Sequence, residues 1–242
     1  MSRTVVVTGG AKGIGRAIVN RFAALGDDVV ALGRDQRALA ELDVRSAVCD
    51  VTDEVAVIET FRRVGEVEVL VNNAGFAESA PLTKTTLASW ARHFEVNVTG
   101  PFLCMRAVVP EMRARGHGAI ITVASTAGRI GRPYTTAYTA SKHAVVGLMR
   151  AVASELAGTG VRVNAVCPTY VQTELTERAI ARIVEATGRE KAECEALLAG
   201  MSPLGRLLNP EEVADAVVYL ASDAAAAISG QTLVIDGGGI QS

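Results

Sequence analysis

A chain of 242 residues with 49% hydrophobic content can bury one sizeable core, and a single α/β domain over residues 1–242 is expected. Its 24 basic and 26 acidic residues leave a net charge of −2 and mix without a block of either sign, which argues against nucleic acid or an anionic membrane surface as partner. Cys49, Cys104, Cys167 and Cys194 are dispersed with no CxxC pair, and the three histidines do not fall at ligand spacing, so reduced buried thiols and no metal are expected.

The opening MSRTVVVTGG enters a strand at once, which reads as leaving no room for a signal peptide, and no window approaches the ~18 apolar residues of a membrane span. A cytoplasmic protein is expected. Short β-branched runs at 4–7, 28–32, 45–49, 67–71, 119–123, 161–166 and 232–235 alternate with segments of helical period. That rhythm predicts βαβ units. Strands so apolar on both faces belong in a parallel sheet of about seven strands with helices on each side, a Rossmann-like, doubly wound, three-layer α/β/α fold with ligands at the carboxyl ends of the strands.

After the first strand comes Thr8-Gly9-Gly10-Ala11-Lys12-Gly13-Ile14-Gly15 and then a helical pattern. Glycines between a strand and a helix start let the backbone approach a pyrophosphate, and the TGxxxGxG spacing of Gly9, Gly13 and Gly15 is wider than the common dinucleotide fingerprint. Lys12 and Ile14 belong to the same loop. At the end of the second run Gly33 stands where an acidic residue would accept ribose hydroxyls, and Arg34 follows it. Arg34 and Lys12 together suit a 2′-phosphate and favour NADP(H). Asp35, 20 residues after Gly15, keeps NAD(H) open, and Arg34 as a mere solvated cap is a third reading.

Pro101 has no amide hydrogen, so in a continuous helix the carbonyl of Asn97 loses its partner and is free to hold water; a simple proline kink is the other reading. Ser125 ends the apolar run AIITVAS, placing a hydroxyl at a strand's carboxyl end, where it can hydrogen-bond a carbonyl oxygen gaining charge. Tyr138 and Lys142 follow in AYTASKHAVVGL. Positions i and i+4 share a helical face, so the ammonium is expected to lower a phenol pKa that is ~10 unperturbed and fit Tyr138 to exchange a proton with an alcohol or ketone. Tyr134 has Tyr138, not a lysine, four residues on and reads as a wall of the substrate pocket. His93, His117 and His143 lack a hydrolytic arrangement and read as structural.

With TGGAKGIG, Asn72-Asn73-Ala74-Gly75, Asn97, Ser125, Tyr138 and Lys142 in order, the chain resembles the short-chain dehydrogenase/reductases over residues 3–239. The resemblance implies an oxidoreductase acting on CH–OH groups with NAD(P), with Asn97, Ser125, Tyr138 and Lys142 catalytic. It further implies that Asp50 and Val51 meet the adenine, that Asn73, Ala74 and Gly75 support the central strand and the adenosine ribose, and that Pro168, Val171 and Thr173 bracket the nicotinamide. Lys142 would also bind the nicotinamide ribose, and the Asn97 main chain would anchor a water that relays protons to it. One departure stands out: Thr169 follows Pro168 where the family usually has glycine, so the local turn is expected to differ.

Residues 172–206 are charged and helical in pattern and follow a strand's carboxyl end, which reads either as a substrate lid or as an ordinary surface hairpin. The surroundings of Tyr138 and the segment 203–238 resemble 3-oxoacyl thioester and polyketide ketoreductases, implying a small ketone, alcohol or acyl thioester substrate. Arg129 and Arg132 would attract a phosphate on such a thioester or serve as solvated surface groups. An NAD-linked secondary-alcohol or 3-hydroxyacyl dehydrogenase is the alternative, and a non-catalytic nucleotide-binding module is argued against by the intact triad. The apolar tail from 224 on and the helical segments after Leu87 and Ala137 resemble the family's two-fold contact surfaces and imply a homotetramer.

Overall fold

A computed structural model describes residues 2–241. Its strands are β1 (Thr4–Thr8), β2 (Asp28–Gly33), β3 (Arg45–Val48), β4 (Val69–Asn72), β5 (Gly118–Val123), β6 (Val161–Pro168) and β7 (Thr232–Ile235). The helices are α1 (Gly13–Ala24), α2 (Gln36–Ala40), α3 (Glu54–Val64), α4 (Leu87–Phe94), α5 (Gly100–Arg115), α6 (Thr136–Glu155), α7 (Glu174–Thr187), α8 (Lys191–Ala199) and α9 (Pro210–Ala221). The strands form one parallel sheet in the order β3-β2-β1-β4-β5-β6-β7. The order reverses between β1 and β4, so the crevice of a doubly wound sheet opens above their carboxyl ends.

Period-two alternation divides the core. Val5 and Val7 of β1 face one side with Phe22 of α1 and Val217 of α9, while Val6 faces the other with Met105 of α5 and Met149 of α6. Both layers are apolar, which is why the strands read as continuous apolar runs. Helix starts follow side-chain chemistry: Asp53 accepts from the Ala56 amide (3.1 Å), Thr86 from Ser89 (3.1 Å), and Asn209 with Glu212 closes a capping box before Pro210.

Each strand lies within two residues of its sequence-predicted run; the largest shifts are at β4, which starts at Val69, and β6, which continues through Pro168. Thr169 causes no distortion. Its amide donates to the Ile235 carbonyl (3.0 Å), continuing the ladder, and among the described residues Tyr134 alone of the non-glycines has a positive φ. The threonine therefore stands where the fold asks for no positive φ. Residues 172–206 form the α7–α8 hairpin with an apolar cluster of its own, built on Ile180, Cys194, Leu198 and Leu207.

Candidate active site

The nucleotide end is built from β1 and α1. Gly9 and Gly13 have φ of 64° and 51°, and a β-carbon on Gly15 would stand 2.1 Å from the Gly9 carbonyl oxygen, so only glycine fits there. Among the described residues the first turn of α1 carries no acidic side chain, leaving its amides for an anion. Ile14 packs down on the apolar layer beneath. A β-carbon on Gly13 would come within 3.1 Å of the Thr173 methyl, so the loop lies against the N-cap of α7.

Asn73 braces this loop: its Nδ2 donates to the carbonyls of Thr8 (2.9 Å) and Gly9 (3.1 Å). Thr8 Oγ1 in turn accepts from the amides of Asn73 and Ala74, both at 3.0 Å. The end of β4 and the glycine loop are thus one unit. Val51 is buried against Gly100, whose β-carbon would meet a Val51 methyl at 2.8 Å. Asp50 accepts from the amide (3.0 Å) and hydroxyl (2.8 Å) of Thr52 and faces Arg34 at 3.6 Å. Asp35 caps α2 through the Ala38 amide (3.1 Å) and pairs with Lys12 (3.1 Å), and these contacts hold its carboxyl below the usual range. Pro168 ends β6, and Val171 is buried and bridges to Leu208.

The reacting end assembles from β5, α6 and the chain between α4 and α5. Ser125 lies two residues past β5; its Oγ accepts from the Ala127 amide (3.1 Å), and the side chain lies close enough to the Tyr138 phenol to lower its pKa. Tyr138 and Lys142 share one face of α6, with Lys142 Nζ 5.7 Å from the centre of the Tyr138 ring and donating to the Val123 carbonyl (3.0 Å). Gly75 faces them, since its β-carbon would lie 3.6 Å from Asn97 Oδ1 and 3.9 Å from Lys142 Nζ.

Burial sets the titration of this cluster. It pushes the Tyr138 phenol up to about 12 against the lowering effect of Ser125, and pushes the Lys142 ammonium down to about 8. The sequence-based expectation of a phenol drawn down by its neighbour is corrected: burial dominates, and Lys142 is not among the groups that shift Tyr138.

Around Asn97 the expected continuous helix is interrupted. The residue sits in a π-helical turn, Glu95–Thr99, in which the Gly100 amide reaches back to the Glu95 carbonyl, and Pro101 falls in the first turn of α5, where a missing amide hydrogen costs least. The visible work is done by the side chain. Oδ1 accepts from the Phe76 amide (2.8 Å), and Nδ2 donates to the Phe76 carbonyl (2.8 Å) and to Ser141 Oγ (3.0 Å). Ser141 is fully buried, and its hydroxyl also donates to the Tyr138 carbonyl (2.7 Å).

Tyr134 precedes α6, is 66% exposed, and holds φ at 63°, an unfavourable region for a bulky side chain; its carbonyl accepts from the Ala80 amide (2.8 Å). Tyr170 and His93 were not expected at the site. Tyr170 raises the Tyr138 pKa and is itself raised by burial, while the His93 ring centre lies 6.3 Å from that of Tyr138. Position supplied the signal for Tyr170, just past Pro168-Thr169. Arg129 turns toward β7, hydrogen-bonding Thr232, whereas Arg132 lies near enough to Tyr170 to lower its pKa.

A tyrosine and a buried lysine on one helical face, together with a glycine-lined helix start on a doubly wound parallel sheet, place the protein among the Rossmann-like oxidoreductases. Residues 9–239 match the family described as enoyl-(acyl carrier protein) reductase. The chain is 41% identical over 249 residues to cis-4-hydroxycyclohexanecarboxylate dehydrogenase of Sinomonas cyclohexanicum, covering 98% of this chain and 96% of the relative. It is 39% identical over 247 residues to acetoacetyl-CoA reductase of Rhizobium meliloti, covering 98% of each. A crystal structure of a variant actinorhodin polyketide ketoreductase with NADPH superposes with a TM-score of 0.91 at 34% identity, covering 98% of this chain and 97% of that one. The chain belongs to the short-chain dehydrogenase/reductase family.

Proposed function

We propose that the protein is an NADP(H)-dependent reductase of a 3-oxoacyl thioester or a related ketone, running reversibly to the secondary alcohol. The observation that carries this reading is Lys142 Nζ 5.7 Å from the Tyr138 ring on one face of α6, which packs on the sheet whose β1 runs into the braced glycine loop. Names of relatives add support, since acetoacetyl-CoA reductase and actinorhodin polyketide ketoreductase both denote 3-oxoacyl chemistry.

The dinucleotide would lie on Gly9, Lys12, Gly13, Ile14 and Gly15, with Asp50 and Val51 toward the adenine, Asn73, Ala74 and Gly75 at the centre, and Pro168, Val171 and Thr173 around the nicotinamide. When bound it supplies or accepts the hydride. Ser125 holds the substrate oxygen by a hydrogen bond as charge grows on it, and Tyr138 delivers the proton to that oxygen. Lys142, titrating near 8, is able both to hold a ribose hydroxyl and to refill the phenol with a proton. Asn97 fixes the turn that faces Lys142, and Tyr134 forms an outer wall for the substrate.

Asp35 is occupied as a helix cap and Lys12 partner, and Arg34 is 65% exposed at the tip of β2, an arrangement that suits a 2′-phosphate. The same Asp35, half exposed beside the loop, is what favours NAD(H) as the second reading. Residues 172–206 serve as a substrate lid within a single domain. A homotetramer is supported by exposed large apolar side chains on α4 and α5 (Leu87, Trp90, Phe102) and on α9 and β7 (Tyr219, Leu233). Unpaired, buried cysteines accord with a reducing cytoplasm.

The test is a ketone and 3-oxoacyl thioester panel with NADPH and NADH, run beside Tyr138→Phe. Turnover should fall at least ~10²-fold in the variant with nucleotide binding retained. Silence of the wild type across the panel, or an active Tyr138→Phe, would overturn the reading. Sedimentation as a monomer would overturn the assembly.

A further inference from the structure

The segment following β4 is held by alternate amides. Phe76 donates to Asn97 Oδ1 (2.8 Å), Glu78 to His93 Nε2 (3.0 Å) and Ala80 to the Tyr134 carbonyl (2.8 Å). His93 is fully buried on α4, its ring centre 4.7 Å from Phe76 and 6.3 Å from Tyr138. Its partners dictate its tautomer. The Ser89 carbonyl at 2.7 Å can only accept, so Nδ1 carries the hydrogen, and the Glu78 amide can only donate, so Nε2 is bare. Burial pushes the imidazole pKa down, in keeping with a neutral ring.

Held in this way, Glu78 sends its carboxylate to two partners, Ser89 Oγ (2.6 Å) and Arg182 Nη2 of α7 (3.0 Å). One end of α7 is already tied to the glycine loop, where Lys12 faces Glu174 at 3.8 Å. Arg182 lies eight residues further on, about 12 Å along the helix axis. The helix is therefore fastened once at the nucleotide end and once beside the reacting groups. Because the α7–α8 hairpin has its own apolar cluster, it can tilt without opening the sheet's core.

We propose that His93 is a positioning residue: it aims Glu78 at Arg182, and that ion pair latches α7 over the substrate pocket. The kinetic half of this inference rests on the reductase reading above; the structural half does not.

The experiment compares wild type, Glu78→Gln, His93→Leu and His93→Gln as full-length proteins, reading amide hydrogen exchange across 174–187 and kinetics with acetoacetyl-CoA and NADPH. Glu78→Gln should speed exchange in 174–187 and raise the KM for acetoacetyl-CoA about 2- to 5-fold, the range of an exposed ion pair, with kcat and NADPH affinity little changed. His93→Leu, which strands the Glu78 amide, should exceed that effect, and His93→Gln, whose carbonyl can accept the same amide, should restore both readouts. Should His93→Leu fail to fold, Glu78→Gln and His93→Gln still decide. Unchanged exchange in Glu78→Gln, or a loosened α7 in His93→Gln, would overturn the latch. Failure of wild type to reduce acetoacetyl-CoA counts against the reductase reading for that substrate and leaves the exchange comparison to decide the latch.

Discussion

Lys142 Nζ stands over the Tyr138 ring, 5.7 Å from its centre, and gives its hydrogen bond to the Val123 carbonyl. Lys142 is buried on the helical face it shares with half-buried Tyr138, and the protein bears a stability cost for its charged form.

That cost has a sign that can be worked out. Lys142 falls from 10.5 to about 8 in the fold, so between those values the unfolded chain binds more protons and stability rises with pH. Tyr138 rises from 10.0 to about 12, so over that window the folded chain binds more protons and stability falls. At pH 7 the Lys142 penalty is in full force. Lys142→Met should abolish turnover yet raise stability at pH 7 by up to about 3 kcal/mol, and should lose the rise between 8 and 10.5. Thermal unfolding of both proteins across this pH range measures it, and parallel curves would refute the assignment.

On the proposed reading, cofactor choice rests on Lys12 and Arg34. Replacing either by Ala should lower the ratio of kcat/KM with NADPH to that with NADH by about tenfold or more, as expected for a lost hydrogen bond to a charged group. Asp35→Ala should move the ratio the other way while costing about 1 kcal/mol through the lost cap of α2. A ratio unmoved by all three substitutions would place the 2′-position elsewhere.

Two glycines should respond oppositely to alanine. In Gly15→Ala the new β-carbon would lie 2.1 Å from the Gly9 carbonyl oxygen and 2.6 Å from Asn73 Nδ2, so the loop must open and nucleotide affinity should collapse. Gly147, exposed in α6 with nothing within 4 Å of its would-be β-carbon, should gain about 0.4–1 kcal/mol on the same change. Nucleotide titration and denaturant midpoints read the two outcomes.

What the sequence disclosed was local in the chain or repeated along it. Alternating valines announced the parallel strands, and Tyr138 with Lys142 shared a helical face because four residues nearly complete a turn. Contacts between distant residues were not legible. Glu78 and Arg182 are 104 residues apart and Asn97 and Ser141 are 44 apart, and their meeting depends on how whole helices pack. His93 read as structural; it is buried, and its contact with Tyr138 arises only once α4 and α6 come together. Asp35 carried a second use that its spacing from Gly15 did not announce: it caps α2 through the Ala38 amide. The pKa order of Tyr138 and Lys142 escaped because sequence spacing reports neighbours but not dielectric.

The π-helical turn at Glu95–Thr99 amounts to one surplus residue threaded into what would otherwise be a straight rod from Leu87 to Arg115. Excising any single residue there would rewind the rod and swing everything on one side of the cut by about 100°. Asn97 would lose its hold on Phe76, and α4 would no longer present His93 to Tyr138 while α5 kept its seat on the sheet. The irregularity is a phase adjuster, allowing one continuous rod to serve two partners that no regular helix could face together.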